Sequence, residues 1–200
     1  MKLGILADIH EDVERLRLAL KRCQQEQVDR VVVLGDVFYA GRQIRETVAL
    51  LADAGAIGVW GNHDLGLCDG PSEQIQARYA GPVLDFMATL MPRLELEGCL
   101  FTHGLPHWDA ADPTAYYLEP RPETAEGLAG SFAMSGHRIL FAGHFHRWLA
   151  ATPIGLTTWD GNGPIELRLE ERYLVVLAAV CDGWCAVLDT ARNELVSFQL

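Results

Sequence analysis

Short clusters of aspartate, asparagine and histidine recur along the chain, each directly after an apolar segment. The clusters are Asp8-Ile9-His10, Gly35-Asp36, Gly61-Asn62-His63-Asp64, His103-Gly104 and Gly143-His144-Phe145-His146. Their candidate metal ligands are two carboxylates, one amide and four imidazoles, from Asp8, His10, Asp36, Asn62, His103, His144 and His146. This mixture of oxygen and nitrogen donors suits Mn, Fe, Zn, Ni or Co better than Ca or Mg. The clusters therefore predict a transition-metal site.

The apolar segments ahead of the first three clusters predict parallel strands. Residues 3–8, 30–37 and 56–60 are rich in leucine, valine and isoleucine, and the segments between them have apolar residues at helical spacing. Asp12 is placed to cap the first helix, and Gly55 to end the second. A β-α-β-α-β order normally builds a parallel sheet, and ligands collect at the carboxyl ends of its strands. We therefore expect clusters that are far apart in sequence to meet in one crevice.

The rest of the chain predicts a few helices and a series of strands. Residues 73–90 have helical spacing that Gly81-Pro82 interrupts, and residues 106–130 predict a long loop with some helix. Asp182-Gly183 is a hairpin turn signal, so we expect the C-terminal half to be a meander. The expected strands are 93–102, 138–142, 147–152, 165–170, 173–180, 184–189 and 194–199.

Two clusters place their ligands at alternate positions. Asp8 and His10 are separated by one residue, as are His144 and His146. In extended backbone such pairs project to the same side, so each pair is predicted to hold one cation jointly. Gly143 would let the chain approach the site closely.

Seven ligands are too many for one transition-metal ion, and they suffice for two ions if one carboxylate bridges them. Asp36 is the natural bridge because it follows the middle of the three early strands. Two cations about 3.5–4 Å apart lower the pKa of a shared water, orient a phosphate and stabilise the charge that develops on its oxygens. Hydrolysis of a phosphate ester is the resulting hypothesis.

Length, charge and cysteine content limit the other classes of function. The chain has 200 residues, half of them apolar, which is enough for one domain over residues 1–200 with a sizeable core. A formal net charge of −11 disfavours general nucleic-acid binding. No apolar run approaches the roughly 18 residues of a membrane helix and nothing resembles a secretion signal, so we expect a cytoplasmic protein without membrane contact. Five cysteines, an odd number, argue against a disulfide framework, and Cys181 with Cys185 is expected to be a reduced pair.

The five ordered clusters resemble the motifs of the calcineurin-like metallophosphoesterases, over residues 8–146. The small size and the Asp-x-His opening are most similar to the compact bacterial and archaeal phosphodiesterase branch. The resemblance implies an α/β fold, a four-layer α/β/β/α sandwich of two mixed β-sheets flanked by helices, with a di-metal centre at the strand ends. The implied cofactors are two divalent metal ions, with manganese expected ahead of Fe, Zn, Ni or Co.

The resemblance also implies a role for each motif residue. The first ion would be held by Asp8, His10 and His146, and the second by Asn62, His103 and His144. Asp36 would bridge the ions, and a metal-held hydroxide would attack phosphorus in line. His63 would donate a hydrogen bond or proton to the leaving oxygen, and Asp64 would orient His63 and raise its basicity.

The chain departs from that branch in segments that shape the approach to the phosphate. Glu11-Asp12 stands where the branch often has Gly-Asn, and is expected to add two negative charges at the rim of the site. Nothing near the C-terminus matches the Asn-Pro-Gly-Ser stretch that the branch often has. Tyr39 and Arg42 follow the Asp36 loop and could reach a substrate phosphate, although Arg42 is equally expected as a solvated first-turn residue.

The expected function is metal-dependent hydrolysis of a small-molecule phosphoester, with phosphodiesters ahead of phosphomonoesters as substrates. An interaction scaffold is the alternative from another class, since the retromer complex contains a member of this fold that serves mainly in assembly. Scaffolding relatives tend to lose the residue equivalent to His63 or some ligands, whereas this chain has His63, Asp64 and all seven ligands. The natural substrate, the native metal pair and the oligomeric state stay open at this point.

Overall fold

The computed structural model describes residues 1–117 and 120–200. Within these ranges the helices are α1 (Val13–Gln25), α2 (Ile44–Asp53), α3 (Leu65–Cys68), α4 (Glu73–Tyr79), α5 (Pro82–Met87) and α6 (Ala125–Met134). The strands are β1 (Lys2–Leu6), β2 (Arg30–Leu34), β3 (Ile57–Val59), β4 (Leu94–Leu96), β5 (Cys99–Thr102), β6 (Ile139–Ala142), β7 (Leu149–Thr152), β8 (Gly155–Leu156), β9 (Pro164–Glu166), β10 (Tyr173–Val176), β11 (Trp184–Asp189) and β12 (Glu194–Gln199). Short 3₁₀ turns cover Pro113–Tyr117 and Val180–Asp182.

The strands form two six-stranded sheets. The first sheet has the order β3-β2-β1-β11-β12-β9, with β1, β2 and β3 parallel and β11 antiparallel to β1. The second has the order β4-β5-β6-β10-β7-β8, with β5, β6 and β10 parallel and β7 antiparallel to β10. Both sheets are therefore mixed, as predicted.

Alternate side chains of each strand enter different hydrophobic layers, as the period of two in a strand requires. In β1, Leu3 and Ile5 belong to the core between the sheets, together with Phe101 and Phe141 of the second sheet. Leu6 faces the other way and packs with residues of α1 and α2. The outer face of the second sheet packs against α6 and the segment before it. These layers confirm the predicted α/β/β/α sandwich.

The C-terminal strands correct one prediction. The expected meander is wrong because β10 pairs with β6 and β7 in the second sheet, whereas β11 pairs with β1 and β12 in the first. Asp182-Gly183 is therefore not a hairpin turn. Gly183, with a φ of 89°, ends the 3₁₀ turn at which the chain crosses between the sheets. Both β10 and β11 are almost entirely buried and apolar, so their sequences do not reveal which sheet each one joins.

Two other predictions are confirmed. Gly81, with a φ of 82°, separates α4 from α5, and Pro82 begins α5 at a position where its missing N–H costs nothing. The segment 106–130 is mostly irregular, with a 3₁₀ turn and the beginning of α6; residues 118 and 119 within it lie outside the described residues. Trp108 and Tyr116 of this segment are buried against the second sheet, so residues 108–116 form a packed layer of the fold.

The cysteines are free thiols at all five positions. Cys23, Cys99 and Cys185 are buried, and burial raises the pKa of Cys185 to about 12, which keeps its thiol protonated and unreactive. Across residues 1–117 and 120–200, no helix has the length and hydrophobicity that crossing a membrane requires.

Candidate metal centre

The candidate ligands lie where the carboxyl ends of parallel strands from both sheets meet. The first sheet contributes Asp8 after β1, Asp36 after β2 and Asn62 after β3, and the second contributes His103 after β5 and His144 with His146 after β6. The carbonyl of Leu34, at the end of β2, accepts a 2.7 Å hydrogen bond from Nδ1 of His103, which joins the two sheet edges. The structure therefore brings the five sequence motifs together in one place.

Backbone packing at this junction requires the glycine at position 143. A Cβ atom there would lie 2.9 Å from the carbonyl oxygen of Leu34 and 3.1 Å from Oδ2 of Asp8. The first distance is shorter than Cβ atoms show and the second is tighter than most of their contacts, so Gly143 permits the close approach that the sequence predicts. The next residue uses this approach, since the backbone N–H of His144 donates to both carboxylate oxygens of Asp8 at 3.0 and 3.1 Å.

Left-handed backbone, and not extended strand, directs the ligand side chains. β1 ends at Leu6 and β6 at Ala142, so both alternating pairs lie in turns beyond their strands. The φ angles are 52° at Asp8, 48° at His10, 53° at Asp36, 65° at His144 and 51° at His146. Such angles cost on the order of 1 kcal/mol each and are tolerated best by aspartate, asparagine and histidine among residues with a Cβ.

Asp8, His10 and His146 form a first cluster of donor atoms, with one oxygen of Asp36. Nε2 of His10 lies 3.3 Å from Nε2 of His146 and 3.6 Å from Oδ2 of Asp36. Nε2 of His146 lies 3.5 Å from Oδ1 of Asp8. Two imidazole nitrogens and two carboxylate oxygens thus converge, which is the donor set that a divalent transition-metal ion accepts.

Asn62, His103 and His144 form a second cluster around the other oxygen of Asp36. Nε2 of His103 lies 3.4 Å from Oδ1 of Asp36 and 3.1 Å from Oδ1 of Asn62. One donor atom each from Asp36, His103 and His144 lies within 4.8 Å of the others. His144 and His146 therefore belong to different clusters, and the prediction that this pair holds one cation jointly is wrong.

Backbone carbonyls fix which ring nitrogens face the second cluster. A carbonyl only accepts, so Nδ1 of His103 carries the proton that it donates to Leu34, and Nε2 points to the cluster. Nε2 of His144 likewise donates to the carbonyl of Tyr116 at 2.9 Å, which leaves Nδ1 free to bind a cation. Both rings are thus held in the tautomer that a ligand needs.

Protons on the histidines balance the buried carboxylates of both clusters. Burial opposes charge on His103, yet the neighbouring Asp36 carboxylate raises the pKa of His103 to about 9. A hydrogen bond to Asp8 raises the pKa of His146 to about 11. Burial and the charge of His103 lower the pKa of His144 to about 4. A divalent cation would supply the same positive charge after displacing these protons, so the residues present fit metal ions.

His63 lies at the exposed side of the first cluster. Its Nε2 is 4.0 Å from Oδ2 of Asp36, its ring centroid is 5.0 Å from that of His10, and its side chain is 36% exposed. The backbone N–H of His63 donates to Oδ1 of Asp36 at 2.9 Å. The imidazole is therefore adjacent to the candidate ligands and open to a substrate.

Asp64 is fully buried and binds backbone. Its carboxylate accepts hydrogen bonds from the N–H groups of Phe38 at 2.8 Å and Gly61 at 2.9 Å. Among the described residues no hydrogen bond joins Asp64 to the His63 ring, so the direct orienting contact that the resemblance implies is not formed. Asp64 fixes the turn that carries His63, and any effect on the imidazole passes through that backbone.

Glu11 occupies a different place from the one that the sequence predicts. Its side chain is 5% exposed, and its carboxylate accepts N–H groups from Tyr39 at 2.9 Å, Ala40 at 3.0 Å, Gly41 at 2.6 Å and Gln43 at 2.8 Å. Although burial opposes ionisation, these donors hold the pKa of Glu11 below its ordinary value. Asp12 caps α1 through the N–H of Arg15. Glu11 is therefore wrongly predicted as a rim charge, because a buried carboxylate can bind a loop of backbone donors.

The loop that Glu11 binds, residues 38–43, carries Tyr39 to the metal centre. The Tyr39 ring centroid is 5.7 Å from that of His10 and 5.9 Å from that of His63, and the residue is 62% exposed. Arg42 lines a separate cavity formed by residues 41–46 and 78–79, which none of the seven candidate ligands borders.

Asp182 and Cys181 approach the metal centre, although the sequence predicted Asp182 as a turn residue and Cys181 as part of a reduced cysteine pair. Nδ1 of His146 donates to Oδ2 of Asp182 at 2.9 Å, and Sγ of Cys181 lies 3.9 Å from the same nitrogen. The N–H of Cys181 donates to the carbonyl of Asp8, which fixes this segment beside the end of β1. The pairing of β10 with β6 explains their position. Because the two strands are parallel, the residues that follow β10 leave the sheet at the same edge as His144, which follows β6.

Comparison with known proteins identifies the class of protein that this fold and site define. Residues 1–159 match the calcineurin-like phosphoesterase superfamily domain. The chain therefore belongs to the calcineurin-like phosphoesterase superfamily.

Two solved structures share the fold. A metallophosphoesterase from Sphaerobacter thermophilus has a TM-score of 0.80 and 20% identity, covering 100% of this chain and 88% of that chain. An archaeal phosphodiesterase has a TM-score of 0.59 and 18% identity, covering 100% of both chains. An uncharacterized protein of Methanocaldococcus jannaschii is 31% identical over 65 residues, which is 32% of this chain and 27% of that protein. The matched segment thus spans about a quarter of this last relative.

Glu11→Gln is expected to lower the free energy of unfolding by about 2 kcal/mol near neutral pH, because charge-assisted hydrogen bonds to four backbone donors are weakened. The pKa of Glu11 is lowered in the folded state, so its stabilisation is full above its ordinary pKa and is lost as the pH falls through the folded value. The gap between variant and wild type in urea unfolding should therefore shrink in acid. Glu14→Gln, on the exposed face of α1, is the matched control, and an equal loss in both variants would contradict the assignment.

Asp182→Ala is expected to weaken Mn²⁺ binding by about 10–100-fold, because the carboxylate fixes the His146 tautomer and makes Nε2 more basic. Asp182→Asn keeps a hydrogen-bond acceptor without the charge, so its Mn²⁺ affinity should lie between those of Asp182→Ala and the wild type. Calorimetric titration of metal-free protein measures the affinity. Asp53→Ala, an exposed aspartate of α2, is the control, and unchanged affinity in Asp182→Ala would remove this role.

Proposed function

We propose that the protein is a metal-dependent phosphodiesterase that uses two divalent ions, with manganese as the first candidate. The position of Asp36 carries this proposal, since its two carboxylate oxygens face histidines of two different donor clusters. When bound, two such ions lower the pKa of a shared water and stabilise the charge on the phosphate oxygens during in-line displacement. Fe, Zn, Ni and Co suit the same donors.

The chain's own residues would supply the proton transfer and the orientation. His63 is exposed beside the first cluster, where its imidazole can donate a proton to the leaving oxygen. Asp8, His10 and His146 would hold the first ion, and Asn62, His103 and His144 the second. Asp182 and the carbonyl acceptors of His103 and His144 keep the imidazoles in place before the substrate binds.

Exposed side chains on one side of the metal centre and a cavity on the other support a diester over a monoester. Beside the first cluster, His63 and the exposed Tyr39 border one side. Beside the second, a cavity of about 300 Å³ adjoins His144 and includes Arg147. A diester has two organic groups to place, and a monoester has one. The archaeal phosphodiesterase that shares the fold is consistent with this choice.

The retained site favours an enzyme over an interaction scaffold. Donor atoms of Asp36, His103 and His144 lie within 4.8 Å of one another. Nε2 of His10 lies 3.3 Å from Nε2 of His146, and the His63 side chain is 36% exposed beside them. We expect a small-molecule substrate and no general nucleic-acid binding, given the net charge of −11. The five free thiols suit a reducing compartment, which supports a cytoplasmic location.

With Mn²⁺, purified protein is expected to hydrolyse bis(p-nitrophenyl) phosphate with a higher kcat/KM than p-nitrophenyl phosphate, because both organic groups of the diester find space beside the ions. Release of p-nitrophenolate measures both reactions. A preference for the monoester would favour a phosphomonoesterase. Hydrolysis of neither compound with Mn, Fe, Zn, Ni or Co would favour the scaffold.

His63→Ala is expected to reduce kcat by roughly 10²–10⁴-fold, the usual scale for a general acid, while the metal content stays that of the wild type. Elemental analysis together with the rate measurement distinguishes an imidazole that transfers a proton from one that binds metal. Loss of metal from the variant would place His63 among the ligands instead. His137→Ala serves as the control. His137 precedes β6, at the opposite end of that strand from His144, and pairs with Glu95 at 3.3 Å.

A further inference from the structure

The loop 38–43 separates the metal centre from a second cavity. This cavity has a volume of about 340 Å³ and is lined by residues 41–46 and 78–79. It includes the side chains of Arg42, Arg45 and Arg78. Three of the 16 basic residues of a strongly acidic chain therefore gather beside the loop that presents Tyr39.

The charge of the cavity is positive. Its acidic side chain is Glu46, whose Oε1 is paired with Arg17 at 2.5 Å on the neighbouring helix. The lining thus has three guanidinium groups and one carboxylate, and that carboxylate is shared with a fourth arginine outside the cavity. Guanidinium groups bind phosphate through parallel N–H donors, and a local positive patch concentrates anions even on a protein of opposite net charge.

Contacts with neighbouring groups fix two of the arginines and the glycine at the edge of the cavity. Nη2 of Arg45 donates to the carbonyl of Arg78 at 2.9 Å, and the Arg78 guanidinium lies over the Tyr79 ring at 5.0 Å. Gly41 packs so closely on Tyr79 that a Cβ atom would lie 1.9 Å from its hydroxyl oxygen, and Gly41 has a φ of 70°. Glu11 holds the other side of this loop through four backbone donors.

The cavity begins two residues beyond Tyr39 in the same loop. Gly41 follows Tyr39 by two residues, so their Cα atoms are separated by at most about 8 Å. The Tyr39 ring faces His10 and His63. One nucleoside-sized group lying along Tyr39 would connect the reacting phosphate to the arginines.

We propose that the arginine cavity is a binding site for a second phosphate of the substrate, and that Tyr39 packs against the organic group between the two phosphates. This inference rests on the proposed function and deepens it. The substrate class is then a phosphodiester in which one substituent carries an additional phosphate, such as a phosphorylated dinucleotide. Loop 38–43 and the arginine cavity would select the substrate, and the residues of the metal centre would carry out its hydrolysis.

Matched dinucleotides test the second phosphate. Thymidylyl-thymidine without a terminal phosphate and its 5′- and 3′-phosphorylated forms differ only in the group that the cavity would bind. Wild-type protein with Mn²⁺ should show a KM about ten-fold lower for one phosphorylated form than for the unphosphorylated compound, and Arg42→Gln should bring that ratio close to one. Arg192→Gln, whose side chain is 77% exposed in another turn, should keep the wild-type ratio.

Two results would overturn the proposal. Wild-type KM values that do not depend on the terminal phosphate would show that nothing in the protein recognises it. An equal change in the ratio for Arg42→Gln and Arg192→Gln would show a general charge effect. For the aromatic contact, Tyr39→Ala should raise KM for the dinucleotides more than Tyr39→Phe, because the phenyl ring keeps the stacking surface.

A binding measurement distinguishes failure of this inference from failure of the proposed function. Inorganic tripolyphosphate is titrated calorimetrically into metal-free wild-type protein, Arg42→Gln, Arg45→Gln and Arg192→Gln at low ionic strength. Weaker binding in the first two variants alone supports the cavity even if no phosphodiester is hydrolysed. Equal binding in all four proteins overturns the cavity even if hydrolysis is observed.

Discussion

The carboxylate of Asp36 is the group on which the arrangement of the site depends. It is 2% exposed, and burial of a charge is costly unless ligands of opposite charge surround it. His10 and His103 approach its two oxygens from opposite clusters, and the N–H of His63 binds one of them. Because the buried carboxylate is poorly solvated, two cations beside it, or protons on the neighbouring histidines, are energetically favourable. The histidines that follow strands of both sheets lie around this one carboxylate.

Two carboxylates outside the set of candidate ligands hold this region together. Asp64 ties the turn after β3 to the loop after β2, and Glu11 ties the segment after β1 to residues 39–43 of that same loop. Three strand ends of the first sheet are therefore joined by backbone-to-carboxylate hydrogen bonds, in a region where left-handed residues prevent regular pairing. Residues held in such strained backbone persist when the surrounding structure fixes them. Here the fixing groups are Glu11, which the sequence predicted as a rim charge, and Asp64, which the resemblance implied as a partner of His63.

The sequence predicted the longer helices and strands and the convergence of the motifs, because hydrophobic periodicity and strand-end clusters are local signals. It did not predict the short elements α3 and β8. It did not predict Asp182, since the apolar β10 and β11 carry no mark of the sheet that each one joins. The direction of the His144 and His146 side chains was mispredicted because the alternation of side chains holds only for extended backbone, whereas both residues have left-handed backbone. Glu11 was misplaced because composition alone does not show that four backbone donors surround its carboxylate. Each failure concerns long-range or backbone geometry and not residue chemistry.

The sharing of Asp36 between two ions is tested most directly by anomalous diffraction at the manganese edge from crystals grown with Mn²⁺. Two peaks about 3.5–4 Å apart, one on each side of the Asp36 carboxylate, are expected. The peak nearer His10 and His146 should be separated from the peak nearer His103 and His144 by that carboxylate. A single peak, or peaks that Asp36 does not contact, would contradict the two-ion arrangement.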